Sequence, residues 1–142
     1  MKLLIDTNVI LDMIFKRSDC DISIELFRKV KETETDAYIT ASSVTDLFYI
    51  IRKETHDVNR TYNIMNNIFR LVGILSVAEQ DIKEAFGKRW KDFEDCVQYI
   101  TGKNNRMDYI ITVNHKDYED SKLSVMTPAA WIDMMAAAHR DN

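Results

Sequence analysis

The chain has 142 residues, 46% of them hydrophobic, with one proline, three glycines and a formal charge of −4. That length suits one domain with one sizeable core, and so little Pro and Gly excludes a flexible linker or low-complexity tail. The negative balance excludes a globally basic nucleic-acid binder, leaving only a local basic patch or bound metal for polyanion contact, and no run approaches the roughly 18 apolar residues of a membrane span.

Leu3-Leu4-Ile5 is predicted to be a buried strand that stops at Asp6, with Thr7 and Asn8 turning into a helix that carries Val9, Ile10, Met13 and Ile14. Asp6 and Asp12 interrupt the apolar stretch after Lys2, so the opening is not read as an export signal and a cytoplasmic protein is expected. Residues 16–21 read as a loop. A second helix follows, with Ile22, Leu26, Phe27 and Val30 on its inner face. Residues 37–40 form the second strand, and Ser42 or Ser43 is expected to cap a third helix with Val44, Leu47, Phe48 and Ile51 inward. Residues 59–72 read as a helix burying Ile64, Met65, Ile68 and Leu71. Gly73 is its expected C-cap, and 74–77 the third strand. A helix over 79–88 places Ile82, Ala85 and Phe86 inward, and the next, starting near Asp92, buries Phe93, Cys96, Val97 and Ile100. Residues 109–112 and 124–126 are the last strands. Thr127 caps a final helix whose first position is Pro128, and which carries Trp131, Ile132, Met134 and Met135.

Strands separated by helices imply right-handed crossovers and a parallel sheet covered on both faces. The fold class expected is an α/β three-layer sandwich, α/β/α, with a central parallel sheet of four to five strands, residues 1–142 forming one domain. Cys20 lies in a polar stretch and Cys96 on an apolar face, which is no disulfide framework and suits a reducing compartment.

Acidic residues recur near the strand ends. Asp6 ends the first strand, Asp46 is placed in the first turn of the third helix, Asp92 and Asp95 share a face at the start of theirs, and Asp117 follows the fourth strand. Three have an ordinary explanation, Asp92 as a cap, Asp46 as a dipole-complementing residue and Asp117 as a solvated loop charge, whereas Asp95 beside the buried face between Phe93 and Cys96 is harder to dismiss. Parallel strands would nevertheless bring them all to one edge of the sheet, where open α/β folds bind ligands. Gathered carboxylates repel one another, and a divalent cation resolves the conflict. All-oxygen donors favour Mg²⁺ or Mn²⁺, since His56, His115 and His139 lack metal-site spacing and His115 reads as surface. Such a site suits hydrolysis of a phosphodiester. Gly73, Gly87 and Gly102 are isolated, so no phosphate-binding loop is present, and neither cysteine has a base beside it. A phosphoryl-accepting Asp6 is a third reading, but phosphatases of the haloacid dehalogenase class carry a second aspartate where this chain has Asn8.

These segments together resemble the PIN-domain family, and within it the small bacterial VapC-type toxins. Leu4-Ile5-Asp6-Thr7-Asn8-Val9-Ile10-Leu11-Asp12 is similar to the first motif, and Ile39-Thr40-Ala41-Ser42-Ser43-Val44-Thr45-Asp46-Leu47 to the second. Asp92-Phe93-Glu94-Asp95-Cys96-Val97-Gln98 resembles the third, with Asp95 at the acidic position and Asp92 in support. Ile110-Ile111-Thr112-Val113-Asn114-His115-Lys116-Asp117-Tyr118 resembles the fourth. Two positions depart from the pattern: Asp46 stands where glutamate is usual, and its shorter side chain would reach metal through a water, while Val113 stands where arginine is frequent.

The resemblance implies a Mg²⁺- or Mn²⁺-dependent ribonuclease, with Asp6, Asp46, Asp95 and Asp117 holding metal directly or through water. It implies that Thr7, Asn8, Thr112 and Asn114 orient those ligands. Arg52 and Lys53, with Lys88, Arg89 and Lys91, are candidates for RNA-phosphate contacts, or else a solvated face. Many relatives are toxins held inactive by an antitoxin, and many form homodimers. The rival reading is a PIN-like module that binds protein or RNA with little catalysis.

Overall fold

Period-two alternation of fully buried aliphatics explains how one short strand serves two cores. In β1 (Lys2–Ile5), Leu3 and Ile5 face one side of the sheet and Leu4 the other, and all three are inaccessible to solvent. The computed structural model describes residues 1–118 and 121–140. Its elements run β1, α1 (Thr7–Ile14), α2 (Cys20–Glu32), β2 (Asp36–Thr40), α3 (Ala41–Thr55), α4 (Val58–Leu71), β3 (Gly73–Leu75), α5 (Glu79–Lys88), α6 (Phe93–Asn104), β4 (Tyr109–Ile111), a 3-10 turn (His115–Tyr118), β5 (Ser124–Met126) and α7 (Pro128–Arg140).

The sheet is five-stranded, ordered β3-β2-β1-β4-β5, and every neighbouring pair is parallel. Leu3 lies opposite both Ala37 of β2 and Tyr109 of β4, so β1 is central and β4 its inner neighbour. One face is covered by α1, α2, α3, α4 and α7, with Trp131 fully buried among Leu3, Ile5, Ile39 and Ile111. The other is covered by α5 and α6 over Leu4 and Ile110. Helix α6 comes close to the sheet at Gly102, where a Cβ would lie 2.8 Å from a methyl of Leu4. The chain order turns back between β1 and β4, which makes the carboxyl ends of these two strands the switch point where such sheets bind ligands. Cys20 and Cys96 are both free, and among the described residues no helix is long and apolar enough to cross a membrane.

Several elements differ from the sequence expectation. The cap of α3 is Thr40, not Ser42 or Ser43: it ends β2 in extended conformation, and its Oγ1 accepts the Ser43 N–H at 3.2 Å. Gly73 is not a C-cap. Val72 ends α4 in extended geometry and Gly73 opens β3, where a Cβ would meet the Tyr38 ring at 2.9 Å. Ile22, Leu71, Ile82, Phe86 and Phe93, all expected inside, are exposed, because helical spacing marks an apolar stripe without fixing how far neighbouring elements cover it.

Thr40 is fully buried, and its hydroxyl also pairs with those of Ser42 and Ser43 at 2.9 Å each. Thr40→Ala removes the cap and strands Ser43, so a loss of about 1–2 kcal/mol is expected, read as a fall of several degrees in Tm by circular dichroism. Thr40→Ser should recover most of it.

Candidate active site

Asp6 is where β1 leaves the ladder. Its N–H still donates to the Ile111 carbonyl at 2.9 Å, then φ −70° and ψ 148° turn the chain into α1. As the N-cap residue of α1 it makes no side-chain capping bond, so the carboxylate is free for other partners. It accepts from the Thr112 hydroxyl at 2.9 Å and the Tyr118 hydroxyl at 3.1 Å, with weaker contacts from Thr7 Oγ1 at 3.3 Å and Asn8 Nδ2 at 3.4 Å. The Thr112 hydroxyl in turn accepts the Asn114 N–H at 3.1 Å, which orients its own proton toward Asp6. Asp6 is 3% exposed, and every one of these donors is neutral. A carboxylate so buried is costly unless its lone pairs are met, and this ring of donors meets them.

Three more acids surround it. Asp92 caps α6, its Oδ1 accepting the Asp95 N–H at 3.0 Å, and so fixes the first turn that carries Asp95. Burial, then the charges of Asp6, Asp92 and Asp117, push the Asp95 carboxyl from 3.8 up to about 7, against an opposing hydrogen bond from Tyr118. Asp117, in the 3-10 turn, is raised by burial and by the charges of Asp6 and Asp92, with the Asn114 side chain opposing. Burial and the charges of Asp6 and Asp95 raise the Tyr118 phenol far out of reach, so it stays a neutral donor.

Asp46 is the sixth residue of α3 and not in its first turn, because the helix begins at Ala41 directly after the strand. Helix-dipole compensation therefore does not account for it. Its side chain meets Glu94 instead. Burial, the hydrogen bond to Asp46 and the charges of Asp46, Asp92 and Asp95 hold the Glu94 carboxyl up to about 8. Asp46 thus lies against Glu94 beside the Asp6 cluster, and α6 contributes both Glu94 and Asp95.

The structure brings Asp6, Asp92, Asp95 and Asp117 into electrostatic reach of one another, with Thr7, Asn8, Thr112 and Asn114 hydrogen-bonded around them. Asp46 joins through Glu94. Arg52 and Lys53 are exposed in the last turn of α3, Lys53 roughly 10 Å along the axis from Asp46. His115 is exposed. Two residues carry no role on sequence grounds: Glu94, whose signal is a third acid within Asp92–Asp95, and Tyr118, whose only signal is its place beside Asp117. Among the described residues, no lysine or arginine is ion-paired with any of these acids, and no three His, Cys, Asp or Glu side chains already close into a metal cage.

A family model described as the PIN domain matches residues 2–116, from β1 into the 3-10 turn, and so takes in Asp6, Asp46, Asp92, Glu94 and Asp95. The chain belongs to the PIN-domain family. Within it, the chain is 22% identical over 132 residues to Ribonuclease VapC1 of Aquifex aeolicus (strain VF5), covering 89% of this chain and 90% of that protein. Among solved structures it is similar to VapBC-1 from nontypeable Haemophilus influenzae, with a TM-score of 0.71 at 15% identity, covering 91% of this chain and 99% of that one. It is also similar to a chain of a toxin–antitoxin complex from Klebsiella pneumoniae, with a TM-score of 0.62 at 22% identity, covering 89% and 97%. At these identities the structural likeness establishes the fold.

The sign of the pH dependence follows from Asp95 and Glu94. Unfolded, they ionise near 3.8 and 4.5; folded, they keep their protons to about 7 and about 8. The folded state therefore binds more protons across that window, and stability is full below about pH 4 and falls as pH rises through 7 and 8. In EDTA, Tm should drop from pH 5 to pH 8, and Asp95→Asn should flatten the slope measured by differential scanning fluorimetry.

Proposed function

We propose that this chain is a divalent-metal-dependent ribonuclease that hydrolyses RNA phosphodiesters, acting as the toxin of a toxin–antitoxin pair. The observation that carries the reading is a buried Asp6 at the switch point of the sheet, held only by neutral donors while Asp95 and Asp117 face it. The candidate ligand atoms are all oxygens, and their mutual repulsion raises proton affinity, which is the chemistry of a site suited to Mg²⁺ or Mn²⁺. Asp6, Asp95 and Asp117 would hold the ion, and Asp46 would approach it with Glu94 or through water. When bound, such an ion offsets the carboxylates' repulsion, polarises the phosphate and makes water nucleophilic at neutral pH.

The protein's own residues prepare this site. Thr112, Tyr118, Asn8 and Thr7 fix the Asp6 carboxylate before any ligand arrives, so little reorganisation is left for the reaction. Asp92 does the same for Asp95 through the helix start. The likeness to a ribonuclease and to a chain of a toxin–antitoxin complex supports RNA as substrate and a cognate antitoxin as partner. A homodimer in the cytoplasm completes the reading. Asp46 and Val113, at the two positions that depart from the family pattern, favour as the second reading a PIN module that binds without turnover.

Purified free of antitoxin, the protein should cut single-stranded RNA with Mg²⁺ or Mn²⁺ and be silenced by EDTA. Asp6→Asn or Asp95→Asn should lower the rate about a hundredfold or more, by the loss of a charged ligand. Asp46→Glu should preserve or raise it. Metal binding without RNA turnover under either ion would instead establish the binding module.

The same site predicts a thermal shift. Millimolar Mn²⁺ should raise Tm, by about 2.7 kcal/mol of stability at a hundredfold excess over Kd. Asp6→Asn should raise the metal-free Tm by removing repulsion and abolish the shift. No shift with either ion would count against the metal site.

A further inference from the structure

Phe86 is 64% exposed and Phe93 45%, although helical spacing would place both inside. Their rings meet edge to face, with centroids 6.1 Å apart, and the Arg89 guanidinium lies 5.6 Å from the centre of the Phe86 ring. Arg89 ends α5 in the left-handed conformation, φ 58°. The next residue, Trp90, stacks on Tyr99 at 5.2 Å with an interplanar angle of 7°, and meets Tyr118 edge-on at 6.2 Å. The α5–α6 connection is thus anchored inward by one aromatic while Lys88, Arg89 and Lys91 stay exposed beside two outward rings. Phe93 itself stands between Asp92 and Glu94 of the acidic cluster.

We infer that the Phe86–Phe93 pair, flanked by Lys88, Arg89 and Lys91, is a platform on which unpaired bases of single-stranded RNA stack beside the carboxylates. The inference rests on the ribonuclease reading and names how that site takes its substrate. Aromatic faces accept any base, and cations alongside track the phosphates. Three cations within four residues, in a chain of net charge −4, give the local positive charge that polyanion contact requires; the other such run, Arg28, Lys29 and Lys31, has its first two cations paired with Glu25 and Glu32. Phe93 opens the same helix that carries Asp95 and follows its cap Asp92, which keeps the platform on the element that supplies the acids, whereas an apolar protein partner would cover the rings without use for the charges. The exposed pair also suits a splayed single strand better than a closed duplex.

The test is fluorescence anisotropy of a labelled 12-nucleotide oligouridine with the full chain in EDTA, where nothing is cleaved. Phe86→Ala and Phe93→Ala should each weaken binding at least about fivefold, and the tyrosine variants should retain it. Lys88→Ala or Lys91→Ala should reduce the slope of log K against log salt by about 0.7 for each phosphate no longer neutralised. Both rings are exposed, so melting temperatures should stay near wild type. Wild-type affinity in the double alanine variant, or no binding by the wild-type chain, overturns the platform. So does a dimer in sedimentation that the alanine variants dissociate while RNA affinity is unchanged, since the rings then serve a second copy. Ring-dependent binding with no hydrolysis on adding Mn²⁺ upholds the platform and removes the ribonuclease reading. Hydrolysis with an unchanged KM in the double variant removes the platform alone.

Discussion

A carboxylate at the centre of the sheet, with no cation beside it among the described residues, is the constraint around which the rest is arranged. Asp6 follows the most buried strand and is almost wholly withdrawn from solvent, so its charge must be met by donors that the fold brings to it. Parallel pairing of β1 with β4 puts Ile5 opposite Ile111, which places Thr112 beside Asp6. The 3-10 turn then returns Tyr118 over the same oxygen. Each added acid makes the site less comfortable: Asp95 and Glu94 hold protons well above the carboxylate range because they are part-buried among other acids. The fold's aliphatic cores on both faces carry that cost, and the strain is confined to one edge.

The elements are legible where periodicity is long and punctuation strong. α5 and β5 fall on the residues the pattern indicates, and the Asp6, Asp95 and Asp117 positions stand out as acids at or beyond strand ends and helix starts. The single-residue assignments fare less well for identifiable reasons. Ser42 and Ser43 look like caps in isolation, but strand and helix abut, so the last strand residue, Thr40, does the capping. Asp46 lies in the second turn for the same reason. Hydrophobic spacing marks a stripe on a helix but not whether anything covers it, which is why the pattern alone puts Phe86 and Phe93 inside. Glu94 and Tyr118 depend on partners about 50 and 110 residues away, and no local pattern encodes that.

Low identity with a shared fold is physically unsurprising here. The cores need aliphatics of suitable size at alternating positions, a demand that many sequences meet. The acids are constrained differently, by reach and by charge, and Asp46 shows how reach can be redistributed: a shorter side chain on α3 is met by a longer one, Glu94, from α6. The α5–α6 segment is therefore both the wall of the acidic cluster and the carrier of its outward aromatics, so packing at Trp90 fixes two surfaces at once.

Asp6 and Thr112 are 106 residues apart, and Tyr118 is 112 residues from Asp6. β1 precedes its neighbour β4 by about a hundred residues, so one flank of the central strand can pair only late. Leu3, Leu4 and Ile5 must wait, uncovered on the β4 side, while one flank of the sheet forms. The acidic edge therefore cannot exist on a partly made chain. The site is the late product of folding, assembled only once the β4 side has docked, and that order is set by topology.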